Sequence, residues 1–255
     1  MAHFSKKTLD FLEAAGRQKS LNWLDKHKTE HEELVIAPMR DLVAHVAGAL
    51  GKLPEARGYK FPRRGFGRLR RPEHKIGPGD PAYRNWVHLQ PSRPSASRFD
   101  DNPGLYFFLS PERVFGGGGL YMPSSRQIKK LRMWIDDDPS AMTTLFKSKA
   151  FRDHFPRGFE TGKCVKTYPR GYSPDHPRIS WLKLQAYYIT REYSKKELYS
   201  KSFAEILTED WRQALRFNEV LYGALESDIW HVPPREEEAV EETSTETVEL
   251  WDERL

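Results

Sequence analysis

The chain has 255 residues, which is enough for one large domain or two small ones with a sizeable hydrophobic core. Aromatic residues make up 13% of the chain and charged residues 30%, which excludes a disordered protein, and no apolar run is long enough to cross a bilayer. The first ten residues are polar and Cys164 is the single cysteine, so we expect a cytoplasmic protein without an internal disulfide.

The N-terminal part of the chain predicts helices. Ser5 or Thr8 can cap a first helix, and Gly16 interrupts it. Apolar residues then recur at spacings of three and four between residues 34 and 50, a pattern typical of a longer amphipathic helix. Pro38 lies inside this pattern and is expected to kink the helix, because proline interrupts the backbone hydrogen bonds.

A change of composition after Pro54 marks the start of a sheet. Residues 54–122 are rich in proline, glycine, arginine and aromatic residues, which favours short antiparallel strands with tight connections. A later strand is expected where aromatic and β-branched residues cluster. The predicted strands are residues 85–89, 104–109, 119–122 and 185–192, with short candidates at 164–168.

Helices are predicted again in the second half of the chain. Ser124 and Gln127 form a capping box for a helix that continues to about Asp137. Because helices flank a group of interior strands without a βαβ alternation, we predict an α+β fold, with N-terminal and C-terminal helices packed around a mainly antiparallel sheet. The other helices of this half are predicted near residues 140–151, 194–200 and 203–225.

The net charge of +5 conceals two oppositely charged parts of the chain. Residues 233–255 contain nine acidic residues against Arg235 and Arg254, a net charge of −7, and are predicted to form a disordered tail. Residues 1–232 are predicted to form a single domain, with 39 basic and 27 acidic residues and a net charge of +12. A domain this basic favours phosphate-bearing partners, although the charge can also serve solubility alone.

The segment from Arg57 to Lys75 is the most distinctive local feature. It contains eight basic residues against one acidic residue, Glu73, and Tyr59, Phe61 and Phe66 lie between them. Arginine side chains suit phosphate or carboxylate groups because the guanidinium donates two parallel hydrogen bonds, and aromatic rings can stack on bases. The alternative is a surface loop neutralised by acidic residues of its own domain.

Two other motifs leave alternatives open. Gly116–Gly119 is not a nucleotide-binding P-loop, because no lysine with Ser or Thr follows. These glycines either allow close backbone packing or form a floor beneath a ligand. Asp175 and His176 could transfer protons in a hydrolase, but they could equally belong to a turn, so whether the protein is an enzyme stays open. Neither a metal nor a cofactor is expected, and Cys164 is expected to be buried.

Three stretches resemble the bacterial and fungal domain-of-unknown-function family 2461. They are residues 4–43, FGGGGLYMPSSRQIKKLR at 115–132 and YPRGYSPDHPRISWLKLQAYYI at 168–189. The resemblance covers residues 4–225 and implies one domain in a cytosolic setting, with no established activity. The family's hallmark is Arg-x-x-Arg-Asp-x-Arg-Phe, followed by a lysine and then Tyr-Lys. This chain departs from that pattern. Arg68 and Arg71 take the places of the first two arginines and, with Pro72 as an insertion, the residues that replace Asp, Arg and Phe are Glu73, Lys75 and Ile76. Tyr83-Arg84 matches Tyr-Lys, and the intervening lysine is missing.

The leading hypothesis is a basic, aromatic-rich face that binds an anionic, phosphate-containing ligand or nucleic acid. One alternative is an interaction protein that uses its basic domain and its acidic tail, in which Val248, Leu250, Trp251 and Leu255 form an apolar set. The other is the hydrolase with Asp175 and His176. We expect the arginines, Tyr83 and the glycines to share one surface. The predicted ligand-binding residues are Arg68, Arg71, Lys75, Tyr83, Arg84, Gly117, Gly118, Gly119, Arg170 and Tyr172.

Overall fold

A computed structural model describes residues 3–62, 66, 68–95 and 100–227 of the protein. The predicted tail at 233–255, together with Arg63 and Arg64 of the basic segment, lies outside the described residues. The helices are α1 (Lys6–Gly16), α2 (Trp23–Lys26), α3 (Lys28–His31), α4 (Ala37–Leu50), α5 (Ser125–Asp137), α6 (Ser140–Lys147), α7 (Lys149–His154), α8 (Ile179–Leu182), α9 (Lys195–Leu198) and α10 (Phe203–Glu226). The strands are β1 (Val87–Leu89), β2 (Gly104–Leu109), β3 (Val114–Leu120) and β4 (Tyr187–Glu192).

Side-chain caps set several helix boundaries. The Ser124 side chain accepts a hydrogen bond from the N–H of Gln127 at the start of α5, as the predicted capping box requires. The helix predicted at 140–151 is instead two helices, because Ser148 leaves the helical conformation and caps α7. Within the described residues, no helix combines the length and the apolar character needed to span a bilayer.

The amphipathic helix is irregular next to Pro38, the residue at which a kink was predicted. This proline lies in the first turn of α4, and because it has no backbone N–H it cannot donate to a carbonyl of the preceding helical turn. The irregularity lies before it, in a π-helical segment at Glu32–Ile36 that continues directly into α4.

The strands form an antiparallel sheet in the order β1-β2-β3-β4, which confirms the predicted α+β class. The strand predicted at 119–122 was placed wrongly, because β3 contains the glycines instead of following them. Gly117 pairs with Tyr106 of β2 and with Thr190 of β4, in the centre of the sheet. Of the candidates at 164–168, Cys164 forms an isolated bridge with Leu184.

The long helix α10 packs across one side of the sheet, which we call the inner face. Trp211 is fully buried there and its indole N–H donates to the carbonyl oxygen of Tyr106 at 3.2 Å. Gly118 permits this packing, since a Cβ atom at that position would lie 3.0 Å from the Cβ of Ala214. We call the opposite side of the sheet the outer face.

Candidate functional site

The basic segment folds back against the residues that precede β1. Arg70 and Tyr83 form an isolated antiparallel bridge, and the N–H of Arg84 donates to the carbonyl of Leu69 at 2.8 Å. This short ladder brings together the side chains of three arginines that are distant in the sequence. We call Arg68, Arg71 and Arg84 the arginine cluster.

Arg84 lies at the centre of the cluster and is half-buried. Burial lowers the pKa of its guanidinium, and the nearby charges of Arg71 and Arg68 lower it further. The guanidinium carbon lies 5.0 Å from the centroid of the Trp86 ring, within the range of a cation–π interaction. Like charges therefore converge at a partly desolvated position, an arrangement that an incoming anion would relieve.

The members of the cluster differ in how many contacts their guanidinium groups form with the rest of the protein. Arg71 donates to the carbonyls of Lys75 at 2.9 Å and Pro81 at 3.2 Å, and it lies 3.7 Å from Asp80. Arg71 therefore stabilises the loop between residues 71 and 81. Arg68 is exposed, and its backbone carbonyl accepts a hydrogen bond from the Arg84 guanidinium at 3.4 Å. Lys75 is also exposed on this loop.

Stacked aromatic rings extend from the arginine cluster across the outer face. Trp86 contacts Phe108 with 5.5 Å between ring centroids, and Phe108 stacks on Phe115 at 4.8 Å. Arg113 lies over Phe115 at 5.1 Å, so an arginine side chain covers each end of the row. We call Arg84, Trp86, Phe108, Phe115 and Arg113 the outer-face row.

Trp86 and His88 belong to this face although the sequence analysis did not name them. They follow Arg84 at intervals of two residues, the period that places side chains on one side of an extended chain. Their signal was therefore present in the sequence. Burial, followed by the charge of Arg84, lowers the pKa of His88 and favours its neutral form.

Several ionisable groups gather at the β4 end of the outer face. The N–H of Glu160 donates to the carbonyl of Tyr188 at 2.9 Å, and its carboxylate pairs with Arg157 at 2.9 Å. The Lys163 ammonium lies 3.8 Å from the centroid of the Tyr121 ring. Burial raises the pKa of Glu160, lowers the pKa of Lys163 and raises the pKa of Tyr188 to about 12. Each change favours the neutral form, as expected where water is scarce.

Glu160→Gln should change the pH dependence of stability. The folded-state pKa of Glu160 is raised above its ordinary value, so the folded protein holds this proton more tightly than the unfolded chain does. The stability that this proton contributes is present at low pH and is lost as the pH rises through the folded-state pKa. In urea titrations at several pH values, the unfolding free energy of the variant minus that of the wild type should therefore increase with pH. A constant or falling difference would contradict this assignment.

Tyr83 belongs to the core and not to the surface of the site. It is buried, its hydroxyl donates to the carbonyl of Leu21 at 2.6 Å, and it accepts a hydrogen bond from the N–H of Leu24 at 3.2 Å. Neighbouring residues of an extended chain point to opposite sides, so Arg84 faces outward while Tyr83 anchors the N-terminal helices.

The three glycines predicted to bind a ligand contact groups of the protein itself. The Tyr106 hydroxyl donates to the carbonyl of Ile189 at 2.6 Å, and a Cβ atom at Gly117 would lie 2.7 Å from that hydroxyl oxygen. Gly118 faces α10, and Gly119 adopts a positive φ of 131° that other residues rarely reach. This geometry favours the packing interpretation of the glycine run over the ligand floor.

In the loop at 168–177, the side chains of Asp175 and His176, the two residues considered for a hydrolase, do not pair with each other. The Nε2 atom of His176 lies 3.1 Å from the Asp136 carboxylate on α5, whereas Asp175 is exposed in a turn. Tyr172 contacts the edge of the His176 ring, with 6.2 Å between ring centroids, and Arg170 is exposed on the same loop. The observed contacts attach this loop to α5, so the hydrolase hypothesis gains no support.

A buried polar network lies where sequence reasoning did not place one. The carboxylate of Asp210 on α10 is fully buried and accepts hydrogen bonds from Arg191 at 2.7 Å and from the Tyr193 hydroxyl at 2.8 Å. It also lies 2.5 Å from Nδ1 of His154. Arg191 pairs in addition with Glu197 at 2.9 Å. We call these five residues the Asp210 network. Its contacts link α7, β4, α9 and α10.

Cys164 is exposed, so the expectation of a buried cysteine was wrong. Its thiol donates to the carbonyl of Thr161 at 3.1 Å, in a loop outside the core. Among the described residues, no group of three His, Cys, Asp or Glu side chains is placed to hold a metal ion.

The comparison with known families supports the resemblance found in the sequence. Residues 7–219 match the family described as "Conserved hypothetical protein (DUF2461)". The match includes the arginine cluster, the outer-face row and the loop at 168–177. No curated protein and no solved structure matches the chain.

Proposed function

The chain belongs to the DUF2461 family of conserved hypothetical proteins, and for it we propose the binding of an anionic, phosphate-containing ligand at the arginine cluster. The observation that carries this proposal is the position of Arg84. Its half-buried guanidinium lies against the Trp86 ring and close enough to Arg68 and Arg71 for their charges to lower its pKa. Such convergence of like charge is typical of anion-binding sites.

The chemistry of the three side chains suits a phosphate group. A guanidinium can donate two parallel hydrogen bonds to neighbouring phosphate oxygens, and such bonds are stronger where water is partly excluded. Arg71, which already donates to Lys75 and Pro81, contributes its positive charge. The Trp86 ring restricts the positions that Arg84 can adopt, which reduces the entropy lost on binding. Arg68 is exposed on the same ladder and can turn toward a ligand that Arg84 holds.

Arg84→Gln should weaken phosphate binding by roughly tenfold or more, because a charge-assisted hydrogen bond contributes about 1.5–3 kcal/mol. Titration calorimetry with inorganic pyrophosphate and with a short oligothymidylate measures the affinity of each probe at low salt. The matched control is Arg212→Gln, since Arg212 pairs with Glu209 on α10 and lies away from the outer face. This control should bind both probes as the wild type does.

The two probes distinguish a small phosphate ligand from the phosphate backbone of a nucleic acid. Binding of pyrophosphate as well as oligothymidylate would identify a small phosphate site, whereas binding of the oligonucleotide alone would identify a nucleic-acid backbone. In the second case the affinity should fall steeply between about 50 and 200 mM salt, because each neutralised phosphate releases counterions. Equal losses in Arg84→Gln and Arg212→Gln would refute a specific site at the arginine cluster.

A further inference from the structure

A second basic site lies at the other end of β1. A pocket of about 410 Å³ forms between the end of α4 and the start of the basic segment. Leu53, Tyr59 and Phe61 supply the apolar part of its lining, polar atoms supply the larger part, and the exposed side chains of Lys52 and Arg57 lie at its rim. The neighbouring Lys60 pairs with Ser92, which follows β1, whereas the arginine cluster includes a residue that precedes β1. The two sites are therefore separate.

Arg93 attaches this pocket to the last turns of α10. Its guanidinium donates to the carbonyl of Arg57 at 2.8 Å and to the carbonyl of Glu55 at 3.1 Å. The same group lies 4.2 Å from the centroid of the Tyr222 ring and forms an ion pair with Glu219. From Tyr222 the helix continues for only four residues, or about 6 Å. The chain therefore leaves α10 close to the pocket.

The sequence that follows α10 complements the pocket in charge and in apolar character. Residues 233–255 carry a net charge of −7, opposite to the basic rim, and contain the neighbouring apolar residues Leu250 and Trp251. The separation of Ser227 from Trp251 is 24 residues, and a random coil of that length would span roughly 25 Å. That reach covers the short distance from the end of α10 to the pocket.

We infer that residues 248–255 occupy this pocket in the same molecule. Trp251 lies on the apolar lining, and the acidic residues beside it pair with Lys52 and Arg57. An indole ring has a large apolar surface to bury, and a pocket of this volume accommodates it. Attachment to α10 makes the association intramolecular, which raises the effective concentration of the segment to the millimolar range. This inference does not depend on a ligand at the arginine cluster.

Hydrogen–deuterium exchange on the full chain tests the inference with one variant of the pocket and one variant of the segment. Lys52→Glu/Arg57→Glu should speed amide exchange in residues 248–255 on the order of fivefold, because the rim then repels the segment. Leu250→Ser/Trp251→Ser should speed exchange in residues 51–61 to a similar extent. The matched control is Lys195→Glu/Lys196→Glu, which reverses the same number of exposed charges on α9 and should change neither region.

Cross-linking identifies the occupant without any substitution in the pocket. A zero-length carbodiimide reagent should join Lys52 to an acidic residue within 248–255, in a monomer and at a yield that does not fall on dilution. Cross-links that join two molecules and disappear on dilution would show that a second copy supplies the segment, which would overturn the inference. Unchanged exchange in both test variants would overturn it as well.

Discussion

Asp210→Ala is expected to lower the free energy of unfolding by about 3–5 kcal/mol, because it leaves a partly buried charge without its main partner. Asp210 accepts hydrogen bonds from Arg191 and Tyr193 and contacts His154, and its carboxylate is fully buried. Its removal therefore breaks the contacts that join α10 to β4 and α7, and it leaves a cavity. Asp210→Asn should be less harmful, since the amide oxygen can still accept one of these hydrogen bonds.

Urea denaturation followed by circular dichroism measures this loss. The matched control is Asp153→Ala, because Asp153 forms an exposed ion pair with Lys149 only four residues away. That control should leave the denaturation midpoint close to the wild-type value. A similar effect in the two variants would show that the Asp210 network contributes no more than a surface ion pair.

Gly117→Ala is expected to destabilise the protein by about 4 kcal/mol or more, an effect that few single substitutions reach. The added methyl group would overlap the carbonyl oxygen of Ile189 and lie 2.7 Å from the hydroxyl of Tyr106. The carbonyl of Ile189 is part of the β4 backbone and the Tyr106 side chain is buried, so neither group can move aside at low cost. The pairing of β3 with β4 should therefore weaken.

Gly48→Ala is the matched control for this substitution. Gly48 lies within α4, and apart from the backbone of its own helix no atom would lie within 4 Å of an added Cβ. Alanine is favoured over glycine inside a helix, so this variant should gain about 0.5–1 kcal/mol. Thermal unfolding of the two variants should shift in opposite directions. Wild-type stability of Gly117→Ala would contradict the close packing described for β3.

Local signals explain which elements were predictable from the sequence. The helix α5 begins as predicted because Ser124 and Gln127 form their capping box within one turn. The strand β2 matches the prediction because its apolar run is bounded by turn residues. The strand β3 was displaced because glycine favours turns by itself, and only the packing of Tyr106 and α10 makes glycine necessary within this strand.

The parts of the site that sequence reasoning missed depend on contacts between distant segments. His176 was considered with its neighbour Asp175, yet it pairs with Asp136, forty residues earlier. Asp210 was detectable as a charged residue on the apolar side of α10, but Arg191 and Tyr193 could not be assigned to it without the fold. Long-range partners of buried polar groups are set by tertiary packing and leave no fixed spacing in the sequence.

The most direct test of the proposed function is an NMR titration that observes the arginine Nε–H groups and the tryptophan indole N–H groups. Inorganic pyrophosphate and the short oligothymidylate are added separately to the full chain at low salt, with Arg84→Gln and Trp86→Phe used to assign the two signals. The proposal predicts that the Arg84 and Trp86 signals shift together and saturate with one dissociation constant, while the signal of Arg212 stays in place. Saturable shifts elsewhere with Arg84 and Trp86 unmoved, or no saturable shift at any site with either probe, would contradict it.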